Sequence, residues 1–219
     1  MKCSLTAFLS ILAIAISSHA RGGEASSAIV EDISGAPKSI QFMDYLAPGR
    51  TIDVVASDRV ILGYLRSCVR ETIQGGHITI GLKQSTVTGG KVTRERVECD
   101  GGNLQNMMAQ GSGSAVTVFR AKPGAKSKLP KSQITIYAAM PFVSLTSKSL
   151  GLKVVRLDKK AKPLSINVQG SVSDFAKLGI HLIPGGLYRL SAGDKNVVFS
   201  IDPLAEDKSI SLLQRLIRL

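Results

Sequence analysis

RTIDVVASDRVILGYLRSCVRETIQGGHITIG, residues 50–81, carries the clearest secondary-structure signal in the chain. Apolar and polar residues alternate over 50–55 and again over 77–81, and a continuous apolar run covers 60–65. The pairs Ser57-Asp58 and Gly75-Gly76 separate these runs and are typical turn formers. Short strands with turns about ten residues apart are typical of a β-sandwich or β-barrel. We therefore predict an all-β fold around this stretch.

The segments on either side of this stretch extend the same pattern. A strand is predicted over 91–99, near a sheet edge, because its charged residues are poorly separated by face. Another strand is predicted over 39–45, whereas the small and polar residues 21–37 are expected to form a flexible lead-in. Residues 103–114 are expected to be irregular. Together these segments predict one disulfide-linked β domain over 38–121.

The second half of the chain repeats the β pattern after a break. Lysine, proline and small residues dominate 122–132, which is the composition of a linker. A second β domain is predicted over 133–205, with a lysine-rich hairpin tip at 159–162. Ser171-Val-Ser-Asp174 is a variant of a capping box and predicts one short helix there. Apolar residues recur at helical spacing in 206–219 and predict a C-terminal amphipathic helix.

The fold class predicted from these segments is mainly β, with two small sandwich-like or barrel-like domains and two helices. The amino terminus adds a predicted signal peptide over 1–20. Lys2 supplies a positive charge, residues 5–16 are apolar, and Ser-His-Ala precedes Arg21. An uncleaved anchor is the alternative for this segment. We expect an exported protein, periplasmic or secreted.

Cleavage of the signal peptide would leave two of the three cysteines, because Cys3 lies within it. A cysteine pair in an oxidising compartment indicates a disulfide, here between Cys68 and Cys99. A metal pair or a redox-active pair is the alternative. Neither is favoured, because the chain has no Cys-x-x-Cys spacing and no histidine near the cysteines in sequence.

Positive charge is concentrated in the second half of the chain. The formal net charge is +12, and residues 121–219 hold 16 Lys and Arg against 6 Asp and Glu. A basic surface outside the cytoplasm attracts anionic polymers or membranes. A solvated face without a ligand is the alternative. The candidate anion-binding residues are Lys122, Lys126, Lys128, Lys131, Lys153, Arg156, Lys159, Lys160 and Lys162.

Two stretches resemble known bacterial envelope modules. Leu46-x-x-Gly49-x-x-Ile52, the apolar run around Leu62 and the strand His77–Gly81 together resemble the FecR-like periplasmic domain. Residues 182–188, followed by 197–201, are similar to the last hairpin of Ig-like periplasmic modules. The resemblance covers about 60 residues of the first half and implies sensing or scaffolding outside the inner membrane. It implies no catalytic residue.

The sequence contains no recognisable catalytic motif, and we predict neither an enzyme nor a cofactor or metal site. His77 and His181 are the two histidines beyond the signal peptide, and they fall in different predicted domains. Glu98 and Asp100 form the best candidate carboxylate pair for glycan chemistry. Solvated charges at a strand edge are the alternative explanation for that pair.

The sequence therefore predicts a non-enzymatic envelope protein that binds or scaffolds an anionic component or a protein partner. Peptidoglycan, lipopolysaccharide and an anionic membrane surface are the candidate ligands. We do not expect nucleic acid as a partner, because no aromatic residues are interleaved with the lysines. A protein partner is expected to bind a terminal face made of Ile210, Leu213, Leu216 and Ile217. The rival hypothesis is a cell-wall glycan hydrolase or a hydrolase inhibitor.

Overall fold

A computed structural model describes residues 25–35, 39–109, 129–146, 151–206 and 211–219 of the protein. The fold is mainly β, as predicted. The first half forms a six-stranded antiparallel sheet in the order β2-β1-β3-β4-β5, with β6 also paired to β4. Its strands are β1 (Ala28–Ser34), β2 (Tyr45–Leu46), β3 (Thr51–Tyr64), β4 (Val69–Thr79), β5 (Thr86–Thr88) and β6 (Lys91–Arg96).

The predicted turns at Ser57-Asp58 and Gly75-Gly76 are wrong, because both lie inside long paired strands. β3 continues through the first pair by means of a β-bulge between Val54 and Arg59. Gly75 and Gly76 lie opposite this bulge on β4 with positive φ, 65° and 91°. A Cβ at Gly75 would approach the Ala56 Cα to 3.0 Å, so the bulged backbone requires glycine there.

The N-terminal segments also differ from the prediction. The expected flexible lead-in contains β1, whose first four residues are buried. Because these residues are buried on both faces, they show no polar alternation that would have revealed a strand. The strand predicted over 39–45 is reduced to the two residues of β2, and Met43 just before it has a positive φ of 72°.

The second half contains a five-stranded sheet, in the order β10-β9-β12-β13-β7, and a three-stranded sheet, in the order β11-β8-β14. Two pairs, β7 with β13 and β8 with β14, are parallel, and the others are antiparallel. The strands are β7 (Ile134–Ala138), β8 (Phe142–Ser144), β9 (Gly151–Arg156), β10 (Leu164–Asn167), β11 (Val172–Asp174), β12 (Leu187–Ala192), β13 (Lys195–Glu206) and β14 (Leu216–Arg218).

The helices differ in place and length from those predicted. α1 (Gly101–Ala109) replaces the first part of the expected irregular segment. The short helix predicted after Ser171 is instead β11 followed by turns, and the Asp174 carboxylate accepts a hydrogen bond from the Ala176 amide at 3.1 Å. The predicted terminal helix is reduced to one turn, α2 (Leu212–Arg215), because the residues after it pair with β8 as a strand.

Two clusters of buried side chains form the core. The smaller cluster belongs to the first-half sheet, with Leu62 and Ile73 among its members. The larger cluster joins first-half residues such as Ile29 and Leu65 to second-half residues such as Phe142. Both predicted β domains therefore contribute side chains to the larger cluster. Within the described residues, no helix is long and apolar enough to cross a bilayer.

Candidate anion-binding hairpin

The lysine hairpin, defined as β9, β10 and the connecting residues 157–163, lies at one edge of the five-stranded sheet. Its strands pair with Lys153 opposite Ser165 and Val154 opposite Leu164. The loop carries the sequence Leu-Asp-Lys-Lys-Ala-Lys-Pro. The hairpin with a lysine-rich tip is therefore present as predicted.

The base of this loop is held in place by Asp158. Its carboxylate accepts two hydrogen bonds from the Arg156 guanidinium, both 2.9 Å long, and one from the Leu187 amide at 3.2 Å. The Leu157 amide in turn donates to the Leu187 carbonyl at 2.8 Å. These contacts tie the loop to the first residue of β12, so its backbone is anchored on the sheet.

Arg156 acts as part of this anchor. Its side chain is 9% exposed, and its guanidinium lies 5.7 Å from the centroid of the Tyr188 ring, which stacks on Phe199. The ion pair with Asp158 raises the pKa of Arg156 and lowers the pKa of Asp158 well below its usual range. Both groups are charged at neutral pH, and Arg156 is engaged within the fold rather than presented to a ligand.

Three lysines are the exposed cations of the loop itself. Lys159, Lys160 and Lys162 are exposed and line an open surface depression of about 770 Å³ formed by residues 156–163. Within the described part of the chain, no carboxylate forms an ion pair with any of the three. The one acidic group of the loop, Asp158, is neutralised by Arg156. The depression therefore presents uncompensated positive charge.

Two further cations lie on the outer face of the same sheet. Lys153 is exposed on β9, and Arg189 is exposed on the neighbouring strand β12. Arg189 pairs with Val155 and Ser191 pairs with Lys153, so the two cations are diagonal neighbours on one face. Arg189 was not predicted from the sequence, although its place in the alternating run of β12 marks it as an outward-facing residue.

The other predicted cations are not brought to the hairpin. Lys131 is exposed ahead of β7, and two strands, β12 and β13, separate β7 from β9. At the usual strand spacing this is about 14 Å. Lys122, Lys126 and Lys128 lie outside the described residues.

The predicted partner face at the C-terminus is not exposed. Leu213, Leu216 and Ile217 are buried in the larger core cluster, and Ile210 lies outside the described residues. Their helical spacing therefore reflects packing within this protein, through α2 and β14. These three side chains are unavailable to a partner, which corrects the prediction for them.

The carboxylates proposed for glycan chemistry have structural contacts. Asp100 accepts a hydrogen bond from the Thr135 amide at 2.8 Å and two from the Asn103 side-chain amide, at 3.0 and 3.1 Å. It thereby connects the start of α1 to β7. Glu98 is exposed nearby. These contacts lend no support to a catalytic pair.

The two histidines considered in the sequence analysis lie in different halves of the fold. His77 lies on β4 with its Nδ1 atom 2.7 Å from Asp53 Oδ1, and both side chains are exposed. His181 lies in the connection before β12. No group of three metal-ligating side chains suitable for an ion occurs among the described residues.

The predicted cysteine pair is confirmed at disulfide distance. The sulfur atoms of Cys68 and Cys99 are 2.00 Å apart, and their Cα atoms are 5.7 Å apart. The bond joins the β3–β4 connection to the segment that follows β6. Such a bond is compatible with an oxidising environment.

Two buried glutamates were missed by the sequence analysis. Glu71 is 0% exposed and accepts hydrogen bonds from Arg94 Nε at 2.6 Å, from the Ser85 amide and from the Ser85 hydroxyl. The Ser85 hydroxyl also lies 2.9 Å from the Tyr64 hydroxyl. Burial, as the largest cause, raises the pKa of Tyr64 to about 12. Every member of this network is thus satisfied within the sheet.

Glu31 forms the second buried network. It accepts hydrogen bonds from Arg70 Nε at 2.8 Å, from the Ser211 hydroxyl at 2.8 Å and from the Leu213 amide at 3.3 Å. Burial raises its pKa, and the hydrogen bonds partly oppose this shift. Arg70 also reaches the exposed Glu95 at 2.7 Å. Glu31 therefore connects the first strand of the protein to its C-terminal segment.

Comparison of the chain with protein-family models, with curated proteins and with solved structures gives no match.

Proposed function

We propose that this chain is a non-enzymatic exported protein that binds an anionic component of the bacterial envelope through its lysine hairpin. The observation that carries the proposal is a set of three exposed lysines on a loop that Asp158 anchors to the sheet. Among the residues that the structure describes, no carboxylate pairs with these lysines. The anchor matters because an ordered loop loses less conformational entropy when a ligand binds.

The electrostatics of the loop favour a multivalent anion. An ammonium group is a compact point charge without the planar geometry of a guanidinium, so it suits diffuse surfaces of phosphate or carboxylate groups. Each lysine near an anionic surface contributes about 1 kcal/mol. Three lysines in one loop therefore contribute about 3 kcal/mol, roughly a 100-fold change in affinity.

The cellular location is part of the proposal. The apolar segment at 5–16 and the disulfide-distance pair Cys68–Cys99 both support export to an oxidising compartment. The anionic polymers there are phospholipid headgroups, lipopolysaccharide phosphates and peptidoglycan carboxylates.

Co-sedimentation tests the proposal. Residues 21–219 would be incubated with purified peptidoglycan, with lipopolysaccharide and with phosphatidylglycerol vesicles, each at low and at high salt. We expect salt-sensitive binding to at least one of these. The triple variant K159Q/K160Q/K162Q should bind that ligand roughly 100-fold more weakly.

A matched variant controls for net charge. R66Q/K83Q/K91Q also removes three exposed cations, but from the first half of the chain. It should bind as the wild type does. Equal losses for the two triple variants would mean that overall charge, not the hairpin, drives binding. No binding by the wild-type chain to any of the three ligands would overturn the proposal.

A further inference from the structure

Three segments meet at the same end of the five-stranded sheet. The first is the lysine loop, whose Leu157 and Asp158 bond to Leu187 at the start of β12. The second is the turn 183–186 immediately before β12. The third is the end of β13, because the Gly185 amide donates to the Ile201 carbonyl and the Ile201 amide donates to the Gly186 carbonyl, both at 3.0 Å.

The end of β13 bulges away from its neighbour. Ile201 pairs with Ile136 and Glu206 pairs with Ala138, so residues 202–205 oppose a single residue of β7. A bulge of this kind interrupts the ladder of hydrogen bonds and breaks the regular alternation of side chains. Leu204 lies on the bulge, and its side chain is 88% exposed. Its amide donates to the Asp202 carboxylate at 2.8 Å, which fixes the local backbone.

The neighbouring turn also exposes an aliphatic side chain. Ile183 is 61% exposed, although its backbone is held on both sides by the Tyr188 hydroxyl, which accepts from its amide at 2.9 Å and donates to its carbonyl at 3.2 Å. A Cβ added at Gly185 would lie 4.0 Å from Pro203, so this turn lies beside the bulge. Pro184 is exposed beside them.

This end of the sheet therefore carries exposed aliphatic side chains as well as lysines. Binding of a polyanion requires only the lysines. Exposed single leucines are common on protein surfaces. Here, however, two exposed aliphatic residues lie on adjacent segments at the same end of the sheet as the three lysines. No carboxylate of the described residues pairs with those lysines. A soluble or polymeric anion would engage the lysines and leave Ile183 and Leu204 in water. A membrane interface offers both an anionic headgroup layer and an apolar layer beneath it.

We infer that this end of the sheet docks on an anionic lipid bilayer, with Ile183 and Leu204 entering the apolar boundary and Lys159, Lys160 and Lys162 contacting headgroup phosphates. The inference rests on the proposed function and names its anionic component. Electrostatic attraction and shallow apolar insertion act together, because either signal alone gives only weak, reversible membrane binding.

A tryptophan reporter tests the insertion directly, because the natural chain contains no tryptophan. L204W places the single indole on the bulge, and L82W places it at a matched site, 67% exposed, in the first half. Vesicles would contain equal parts of phosphatidylglycerol and phosphatidylcholine. We expect L204W emission to shift to shorter wavelength on binding and to be quenched by lipids with brominated acyl chains. L82W should show neither effect.

The double variant I183S/L204S measures the affinity that insertion supplies. Both side chains are exposed, so the fold should be retained. Loss of the burial of two aliphatic side chains predicts a weakening of vesicle binding by about tenfold or more for each. Binding to pure phosphatidylcholine vesicles should be weak for every variant, because the lysines then lack an anionic partner.

The outcomes separate the inference from the proposed function. Vesicle binding that is lost in K159Q/K160Q/K162Q, with unshifted L204W emission and no effect of I183S/L204S, would overturn insertion and leave the proposed function standing. Salt-sensitive binding to peptidoglycan without vesicle binding would also overturn the bilayer as the ligand and leave the proposed function standing. Absence of binding to every anionic probe would overturn both.

Discussion

The first-half sheet and the lysine hairpin use charged residues in opposite ways. In the sheet, Glu71 and Glu31 are buried, and each is hydrogen-bonded to an arginine, Arg94 and Arg70 respectively. In the hairpin, one ion pair anchors the base of the loop, and the three lysines beyond it are exposed. The buried charges hold elements of the fold together, whereas the exposed ones contribute little to the fold and remain available to a ligand.

The contrast follows from the difference in hydration between buried and exposed charges. A buried carboxylate without its partner leaves an uncompensated charge in a medium of low polarity, which is strongly destabilising. An exposed lysine keeps its hydration, so its removal costs the folded state little. Substitutions in the two regions should therefore affect different measurements: unfolding in the sheet, and binding in the hairpin.

The largest effect on stability is expected for Glu71→Ala. This change leaves Arg94 and the Ser85 amide without their buried acceptor, and it should lower the free energy of unfolding by about 3–5 kcal/mol. Urea unfolding followed by circular dichroism would measure it. Glu95→Ala is the matched control, because Glu95 is an exposed partner of Arg70 and its loss should cost less than about 1 kcal/mol. Similar small losses for both would remove the contrast between buried and exposed charges.

The disulfide is expected to have the next largest effect. Replacing both Cys68 and Cys99 by serine opens a loop whose ends are 31 residues apart and should cost about 3–4 kcal/mol in the chain-entropy model. The same urea experiment on the double variant checks this value. Alkylation and mass measurement of wild-type protein isolated from its native cell, without reductant, would show both thiols protected. Two free thiols in that sample would contradict export to an oxidising compartment.

These effects also show which parts of the structure a sequence can reveal. The β class, the lysine hairpin and the cysteine pair follow from local alternation, from turn residues and from counting cysteines. The Glu71 network was missed because its partners are 14 and 23 residues away, and Ser211 is 180 residues from Glu31. Such pairings depend on strand register and on the packing of distant segments, which one local pattern does not encode.

The C-terminal segment shows how a correct pattern can lead to a wrong element. Leu213, Leu216 and Ile217 have the spacing of a helical face, but only one helical turn forms. From Leu216 onward the chain pairs in parallel with β8, where strand hydrogen bonds and burial outweigh local helical preference. The bulge that exposes Leu204 has no clear sequence signal either, since it depends on the register between β13 and β7.

A smaller effect is expected at the anchor of the hairpin. Asp158→Asn removes the charge that Arg156 holds and should lower the free energy of unfolding by about 1 kcal/mol at pH 7. Because the folded-state pKa of Asp158 is depressed, its contribution is present above the ordinary value of 3.8 and is lost as the pH falls below it. The difference between wild type and D158N should therefore shrink below that pH.

Urea unfolding at several pH values would show this convergence. Asp194→Asn, at the exposed turn between β12 and β13, is the matched control and should have no effect at any pH. A difference for D158N that stays constant from pH 7 to pH 3 would mean that the ion pair does not stabilise the hairpin.

The most direct test of the contrast is the salt dependence of vesicle binding by K159Q/K160Q/K162Q, measured beside its free energy of unfolding. We predict that wild-type affinity for phosphatidylglycerol vesicles falls steeply with salt. The variant should bind roughly 100-fold more weakly at low salt, with a nearly flat salt dependence. Its unfolding free energy should stay within about 0.5 kcal/mol of the wild type. A variant that keeps both the affinity and the salt dependence of the wild type would contradict the assignment of this hairpin as the binding site.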